Sequence, residues 1–386
     1  MANTLTNIIP QMLFRNLPTL REQSVMPRLV LNSFELGDDR EKGSTVDIPL
    51  PSAITVRNVT AAVTHATNQD TAATKVQCVL NQWQEASFHL SDKDAEEVMN
   101  GFTPMQSAEA MKSIANAMDS HIFSKYTSIY NYGGTAGTTP FASDLTAFKD
   151  ARKWLNKEAA PMGDRRVVLD PDAEANAIVL SQFLKADERG DQGGIIEGMI
   201  GRKLGADWFL DQNVPTHTGG TWAITGTGYT EVKATATAGT STLIIQGNSS
   251  STTNGGNLKT GDLVTIAGYD YVITTTASVA VGAQATLEIN VSPLLRTTLA
   301  AGATVTIQLT HVVNLAFHRD AFAFASRPLA RSRMDSLGSF FTYEDPISRV
   351  AVRLELSRQY KQNTYSFDTL YGAVITRASQ AARILG

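Results

Sequence analysis

Apolar and polar positions alternate along residues 42–90: Val46, Ile48 and Leu50, then Ile54 and Val56, then Val76, Cys78 and Leu80. A period of two marks a strand with one covered face. The polar stretch THATNQDTAATK separates the two halves, so the pattern predicts a long two-stranded arm with a polar tip. An isolated hairpin is marginal in water. The arm is therefore expected to find its missing partner on the parent domain or on a neighbouring copy, with an ordinary sheet inside one core as an equal alternative.

After Ser91 the period lengthens. SDKDAEEVMNG carries a cap residue, acids in the first turn and Gly101 at its end, which predicts a short helix. Thr103-Pro104-Met105-Gln106 then reads as a capping box with proline at the first helical position. Met111, Ala115, Met118, Ile122, Tyr126 and Ile129 recur every three or four residues until Asn131 and Gly133-Gly134, predicting a spine helix of roughly 40 Å. Ser143 is expected to cap a helix with Leu145, Phe148, Ala151 and Leu155 on one face. A strand is expected at Arg165–Leu169, and Asp170-Pro171 opens a helix reaching about Lys185. Residues 190–220 are glycine-rich and read as loops around short elements. Regular βαβ alternation is absent, which points to α+β.

At Thr221 the character changes. Through residue 310 the only charges are Glu231, Lys233, Lys259, Asp262, Asp270, Glu288 and Arg296, and runs such as STLIIQG, DLVTIAG, YDYVITTT and ATLEINV lie between Gly, Asn and Ser turns. This predicts a small all-β barrel or sandwich. From residue 311 the mixed character returns, with Val350, Val352, Leu354 and Leu356 alternating as a strand. A β module flanked by two stretches of one character is an insertion into a host domain.

Composition narrows the function. The chain has 386 residues, and 18% are charged, below the ~25% of ordinary soluble domains. That suits a surface partly covered by other subunits. A net charge of -4 argues against a nucleic-acid reader that neutralises many phosphates. One cysteine, Cys78, allows no internal disulfide and no cysteine-rich zinc site. The N-terminal stretch lacks a basic leader, and Asn7, Pro10 and Asn16 interrupt it, so no signal peptide is expected. No run approaches the ~18 apolar residues of a membrane helix, and no membrane partner is expected.

Candidate chemistry is sparse. His318-Arg319-Asp320 resembles the opening of a kinase catalytic loop, but the position five residues after the aspartate is Ala325 where that loop needs asparagine, and no glycine-rich phosphate loop precedes it. Histidines 65, 89, 121, 217, 311 and 318 form no i, i+4 ligand pair. Gly226-Thr227-Gly228 lacks the third glycine of a dinucleotide loop, and Asp170, Asp172, Glu344 and Asp345 are read as caps and solvated turns. No catalytic, cofactor-binding or metal-binding residue is therefore expected, nor any cofactor, and the chain is read as no enzyme.

The order of parts, taken with LKTGDLVTIAG (258–268), LGADWFLDQNVPTHTGG (204–220) and NLAFHRDAFAFASRPLA (314–330), resembles the major capsid protein of tailed double-stranded DNA bacteriophages. The similarity is to the short-tailed-phage branch of the Hong Kong 97 fold, whose coat proteins carry an inserted β-barrel. It implies an N-terminal arm over 1–40, an E-loop β-hairpin over 41–90, and a peripheral domain with the spine helix and the first part of the axial domain over 91–220. The inserted barrel would occupy 221–311, and the return to the axial and peripheral domains 312–386. It further implies an icosahedral shell of hexamers and pentamers around double-stranded DNA, a scaffolding protein, a portal protein, assembly in the host cytoplasm and a place in the virion. An encapsulin-like cellular shell of the same fold, or an adhesin or enzyme bearing a β domain, are the other readings.

Overall fold

The computed structural model describes residues 25–32, 45–51, 54, 56, 58, 74–93, 102–184, 200–327, 329, 338–345 and 348–386. Most of the expected N-terminal arm, most of the tip of the hairpin, the helix expected beyond Lys93 and the glycine-rich residues 185–199 lie outside these. The chain divides into two compact units. One holds Met1–Arg21, Asn32–Ile114 and Ala323–Thr376; the other holds Glu22–Leu31, Ala115–Phe322 and Arg377–Gly386.

In the first unit, β1 (Thr45–Leu50) and β2 (Thr74–Val79) pair antiparallel, with Val46 opposite Cys78 and Ile48 opposite Val76. The inward side chains Val46, Ile48, Cys78 and Leu80 pack on Ala323, Ala325 and Leu370. The root of the arm is thus anchored within its own unit. Strand β3 (Gln82–Ser91), expected to belong to the arm, instead runs antiparallel to β22 (Gln362–Ile375) along its whole length. Its alternation explains the choice: Phe88 stacks on Tyr365 at 5.1 Å on one face, while Trp83 donates from its indole nitrogen to Asp368 on the other. The sheet continues through β21 (Ala351–Gln359) and β20 (Gly338–Glu344), and β19 (Phe322–Arg327) also borders β22.

In the second unit, α1 (Met26–Leu29) precedes the long helix α2 (Phe102–Phe123), whose later half counts here. Met118 and Ile122 are fully buried, as the spacing requires, and so is Phe123 beside them. The helix spans roughly 33 Å over its 22 residues, shorter than expected, because Ser124–Ser128 tighten into a 3-10 turn. That turn carries Tyr126 to a partner described below.

The host sheet has the order β4 (Tyr132–Gly133), β23 (Ala381–Leu385), β18 (His311–His318), β5 (Arg165–Leu169), β7 (Ala206–Leu210), β6 (Arg202–Lys203), with β8 (Thr216–His217) also on β18. One face, formed by Val167, Leu169, Ala316, Ala382 and Ile384, is covered by α3 (Thr146–Lys157) and α4 (Pro171–Val179). Trp208 sits among Phe141, Phe148 and Phe183 with ring centroids 4.8–5.7 Å away. Helix α3 starts later than expected: Asp144, not Ser143, accepts the Thr146 amide at 2.8 Å, since a carboxylate is the stronger acceptor. Asp170 caps α4 as the sequence predicts, accepting from the Asp172 amide at 3.2 Å. The helix breaks at Leu180, whose extended backbone separates it from α5 (Ser181–Leu184).

Between β8 and β18 the chain forms nine strands. They are β9 (Ala223–Gly226), β10 (Thr230–Val232), β11 (Thr242–Gly247), β12 (Ser251–Leu258), β13 (Leu263–Ile266), β14 (Tyr269–Ile273), β15 (Ala277–Gly282), β16 (Thr286–Ser292) and β17 (Val305–Gln308). Six follow the order β10-β11-β16-β14-β13-β17. Backbone bonds from Val232 to Ala303 (2.9 Å) and from Gly302 to Val232 (2.8 Å), with a bridge between Glu231 and Thr304, tie β10 to the turn leading into β17 and close a barrel. Alternate residues, among them Leu243, Ile245, Leu287, Ile289, Val264, Ile266 and Tyr271, fill it. A three-stranded sheet, β15-β12-β9, completes the module.

Candidate functional site

A buried polar cluster lies where the β module leaves the host sheet. His217 ends β8 and His311 begins β18, and the two are direct cross-strand partners. The Lys259–Asp262 turn between β12 and β13 enters the same space. Asp262, 0% exposed, accepts from His217 Nε2 at 2.9 Å, from the Lys259 amide at 2.6 Å and from the Gly220 amide at 3.1 Å. Because a carboxylate only accepts, His217 Nε2 carries a hydrogen, and Nδ1 shares a hydrogen bond with the Tyr126 hydroxyl at 2.9 Å. Gly261 takes φ +99, and a Cβ there would stand 3.0 Å from the His217 ring. The turn therefore needs glycine on both steric and conformational grounds.

Arg383, on β23, is fully buried and donates to the Gly261 carbonyl at 2.7 Å. Its guanidinium lies over the Tyr126 ring at 5.0 Å. Burial pulls its pKa down to about 9, opposed by Tyr126 and Asp262, so it stays cationic at neutral pH. His311 Nδ1 faces the Leu309 carbonyl at 2.6 Å and must donate, leaving Nε2 to face Arg383 at 3.4 Å. Burial, then the Arg383 charge, lowers the His311 pKa to about 3. The cluster thus joins Arg383 and Asp262 through two buried imidazoles, with only Tyr126 half-exposed at its edge. It is built to fix a joint, and it lacks the open face that a reacting substrate needs.

A second set of contacts reinforces the joint. Tyr132 and the Thr265 hydroxyl bond at 2.7 Å, Thr265 donates to Asp270 at 2.7 Å, and Tyr130, Leu263, Val272 and Leu385 form a small apolar cluster. Arg296 of the module pairs with Glu158 at the end of α3 and lies over the Tyr130 and Tyr269 rings.

No family model matches the chain, and no curated protein matches it either. Solved structures do. One from Mycobacterium phage Che8 is 17% identical, with 94% of this chain and 90% of that one covered at a TM-score of 0.50. The capsid structure of Cyanophage P-SCSP1u is 11% identical, with 94% and 88% covered at a TM-score of 0.51.

This is the Hong Kong 97-type capsid fold.

Within this capsid fold the kinase-like triplet is a 3-10 turn, Arg319–Ala321, in which His318 Nδ1 accepts the Asp320 amide at 3.2 Å. It follows β18 and precedes β19, so the chain has already re-entered the host sheet at His311. Its apolar neighbours are the better-buried residues: Phe317 meets Phe322 edge-on at 5.2 Å, and Phe324 lies 6.0 Å from Tyr371. Asp345, expected in a solvated turn, is instead 0% exposed, because Ser348 donates to it from both amide (3.0 Å) and hydroxyl (2.6 Å). Gly228 belongs to a turn packed against Ser251 and Asn248, with no room for a phosphate. A cavity of about 500 Å³ beside Leu169, Ile200 and Trp208 offers Glu174, Arg202 and Asp207 without a nucleophile beside a base. Among the described residues no group of three or more His, Cys, Asp or Glu side chains could hold a metal, and no helix is long and apolar enough to cross a membrane.

The residues of the joint escaped the sequence reading. Two signals pointed to them: His217 and His311 bracket the charge-poor stretch, and Asp262 stands in the Gly-Asp step of LKTGDLVTIAG. On the arm, Ile54 is 68% and Val56 99% exposed, an apolar edge left uncovered in the single chain.

Proposed function

We propose that the chain is the structural subunit of an icosahedral bacteriophage capsid that encloses double-stranded DNA and performs no catalysis. The observation that carries this reading is the capsid fold itself, matched along nearly the whole chain. The exposed Ile54 and Val56 support it, since an arm with uncovered apolar residues gains packing on a neighbouring copy. Hexamers and pentamers would be the assembling units, with a scaffolding protein and a portal as partners and the virion as the final location. DNA would be held non-specifically, in keeping with a net charge of -4. The inserted barrel and the 258–268 stretch favour the short-tailed-phage branch.

Expression with and without the scaffolding partner, followed by electron microscopy, tests the reading. Closed shells are expected; small soluble oligomers under both conditions would overturn it. For the β module we propose a mainly intramolecular role, supported by the buried joint. Replacing 222–309 by a short Gly/Ser bridge should lower folding yield, and unchanged yield with normal shells would refute that role.

A further inference from the structure

The outer face of α3 carries its charge unevenly. Lys149, Arg152, Lys153 and Lys157 recur at spacings of three and four, so they share one side of the helix. With Phe148 and Leu204 they line a surface groove of about 620 Å³, and no acidic side chain among the described residues lines it. Like charges at that spacing oppose a helix, so the row gives α3 no stability of its own.

The nearby acids are already engaged. Asp150 bonds Lys153 at 3.3 Å, Glu158 pairs with Arg296, Asp144 holds the Thr146 amide, and Asp207 stands 3.8 Å from Arg202 Nε. Lys157 Nζ lies 4.5 Å and Lys153 Nζ 5.6 Å from the centre of the Trp154 ring, which holds both ammonium groups beside the groove. Along an adjoining crevice Arg152 meets Arg165 and Arg166. Arg165 is 4% exposed and donates only to neutral oxygens, those of Pro161 (2.8 Å), the Asn156 side chain (2.8 Å) and Ala160 (2.6 Å). Burial, then the Arg152 charge, lowers its pKa. A buried cation ordinarily has an anion beside it. Here its charged neighbour is another cation, which leaves the whole face in want of negative charge.

We propose that this face of α3 holds the phosphate backbone of duplex DNA, which makes it the inward face of the shell. The identity of the polyanion rests on the capsid reading above. The eight residues from Lys149 to Lys157 span about 12 Å, enough to face three or four phosphates of one strand at roughly 3.4 Å of axis each. Arg152 offers a two-pronged fork to a phosphate, and the lysines offer point charges. A neighbouring copy could bring a carboxylate or two, but only a repeating anion matches the row along its length. Contacts of this kind carry no sequence information, so every duplex should bind alike.

The test titrates the full-length chain, before assembly, into a fluorescein-labelled duplex of about 20 base pairs, read by anisotropy from roughly 50 to 200 mM KCl. The wild type should show a log–log salt slope of about -3 to -4, the same for unrelated sequences. Lys149→Gln combined with Arg152→Gln should bring the slope to about -2 and weaken binding roughly tenfold or more. Lys75→Gln combined with Lys233→Gln removes the same charge elsewhere and should stay within about twofold of the wild type; circular dichroism checks all three folds. The proposal falls if the wild type ignores the duplex, or if the two double variants lose binding equally, since bulk charge then explains it. It falls too if the α3 variant binds DNA as the wild type does but closes no shells, because a neighbouring copy then fills the groove. Electron microscopy of the same preparations separates this contact from the capsid reading. Closed shells from a chain that ignores DNA keep the capsid and end the inference, whereas binding that depends on α3 in a chain that never closes a shell keeps the contact and ends the capsid reading.

Discussion

Inside the barrel Val232, Ile245, Val264, Ile266, Ile273 and Ile289 meet in a cluster without a charged side chain. At the joint, Asp262, His217, His311 and Arg383 are buried just as deeply and, with the half-buried Tyr126, held by directed bonds. Apolar packing is non-directional, so a barrel core can settle around a small change. A buried hydrogen-bond network cannot, because removing one partner strands the others. The module should therefore tolerate change in its middle and be intolerant at its root.

The sharpest break in that contrast is Asp262→Ala. It removes the acceptor shared by His217 and two amides beside a buried Arg383, and should cost about 3–5 kcal/mol in chemical unfolding. A loss under about 1 kcal/mol would mean that water replaces the carboxylate easily, and the contrast would fail.

Acid comes next. His311 is held at about 3, against an ordinary 6.5, so the folded joint binds fewer protons than the unfolded chain. Its stability is complete above pH 6.5 and declines by several kcal/mol as pH falls toward 3. Asp270, raised by burial to about 6, acts with the opposite sign between 3.8 and 6. The difference between the wild type and His311→Gln isolates the histidine. The variant should lose less stability between pH 6.5 and 4, followed by the fluorescence of Trp222, which lies in the barrel core. Parallel pH profiles would remove His311 from the account.

Inside the barrel, Ile266→Val should cost only about 1 kcal/mol. A cost rivalling that of Asp262→Ala would show the core to be as exacting as the root. The smallest effect belongs to Arg296→Ala: its pair with Glu158 is partly exposed, and its two ring contacts are peripheral, so at most about 1 kcal/mol should be lost.

Period and punctuation carried much of the architecture. The spacing from Met111 to Ile122 marked the buried face of α2, Asp170-Pro171 marked the start of α4, and the alternation in STLIIQG and ATLEINV marked barrel strands. Each is local: a side chain's face follows from its neighbours three, four or two places away. The start of α3 was misread because Ser143 is an acceptable cap by local rules, whereas the cap position falls on Leu145 and Asp144 before it takes the Thr146 amide. Strand β3 was misplaced for a similar reason. Its alternation is as good as that of β1 and β2, and no local rule says that its partner is β22, 271 to 289 residues later along the pairs from Ser91–Gln362 to Gln82–Tyr371.

By itself the sequence determined which residues alternate, which repeat at helical spacing, and that a charge-poor stretch interrupts a chain of another character. Partnership was decided by the tertiary structure alone. His217 and Asp262 are 45 residues apart, Arg383 and Gly261 are 122 apart, and Val25 and Asp119 are 94 apart. Periodicity has no reach over such distances. Those contacts form because a buried charge or donor is costly without a partner, and chain closure brings these partners within 3 Å or so.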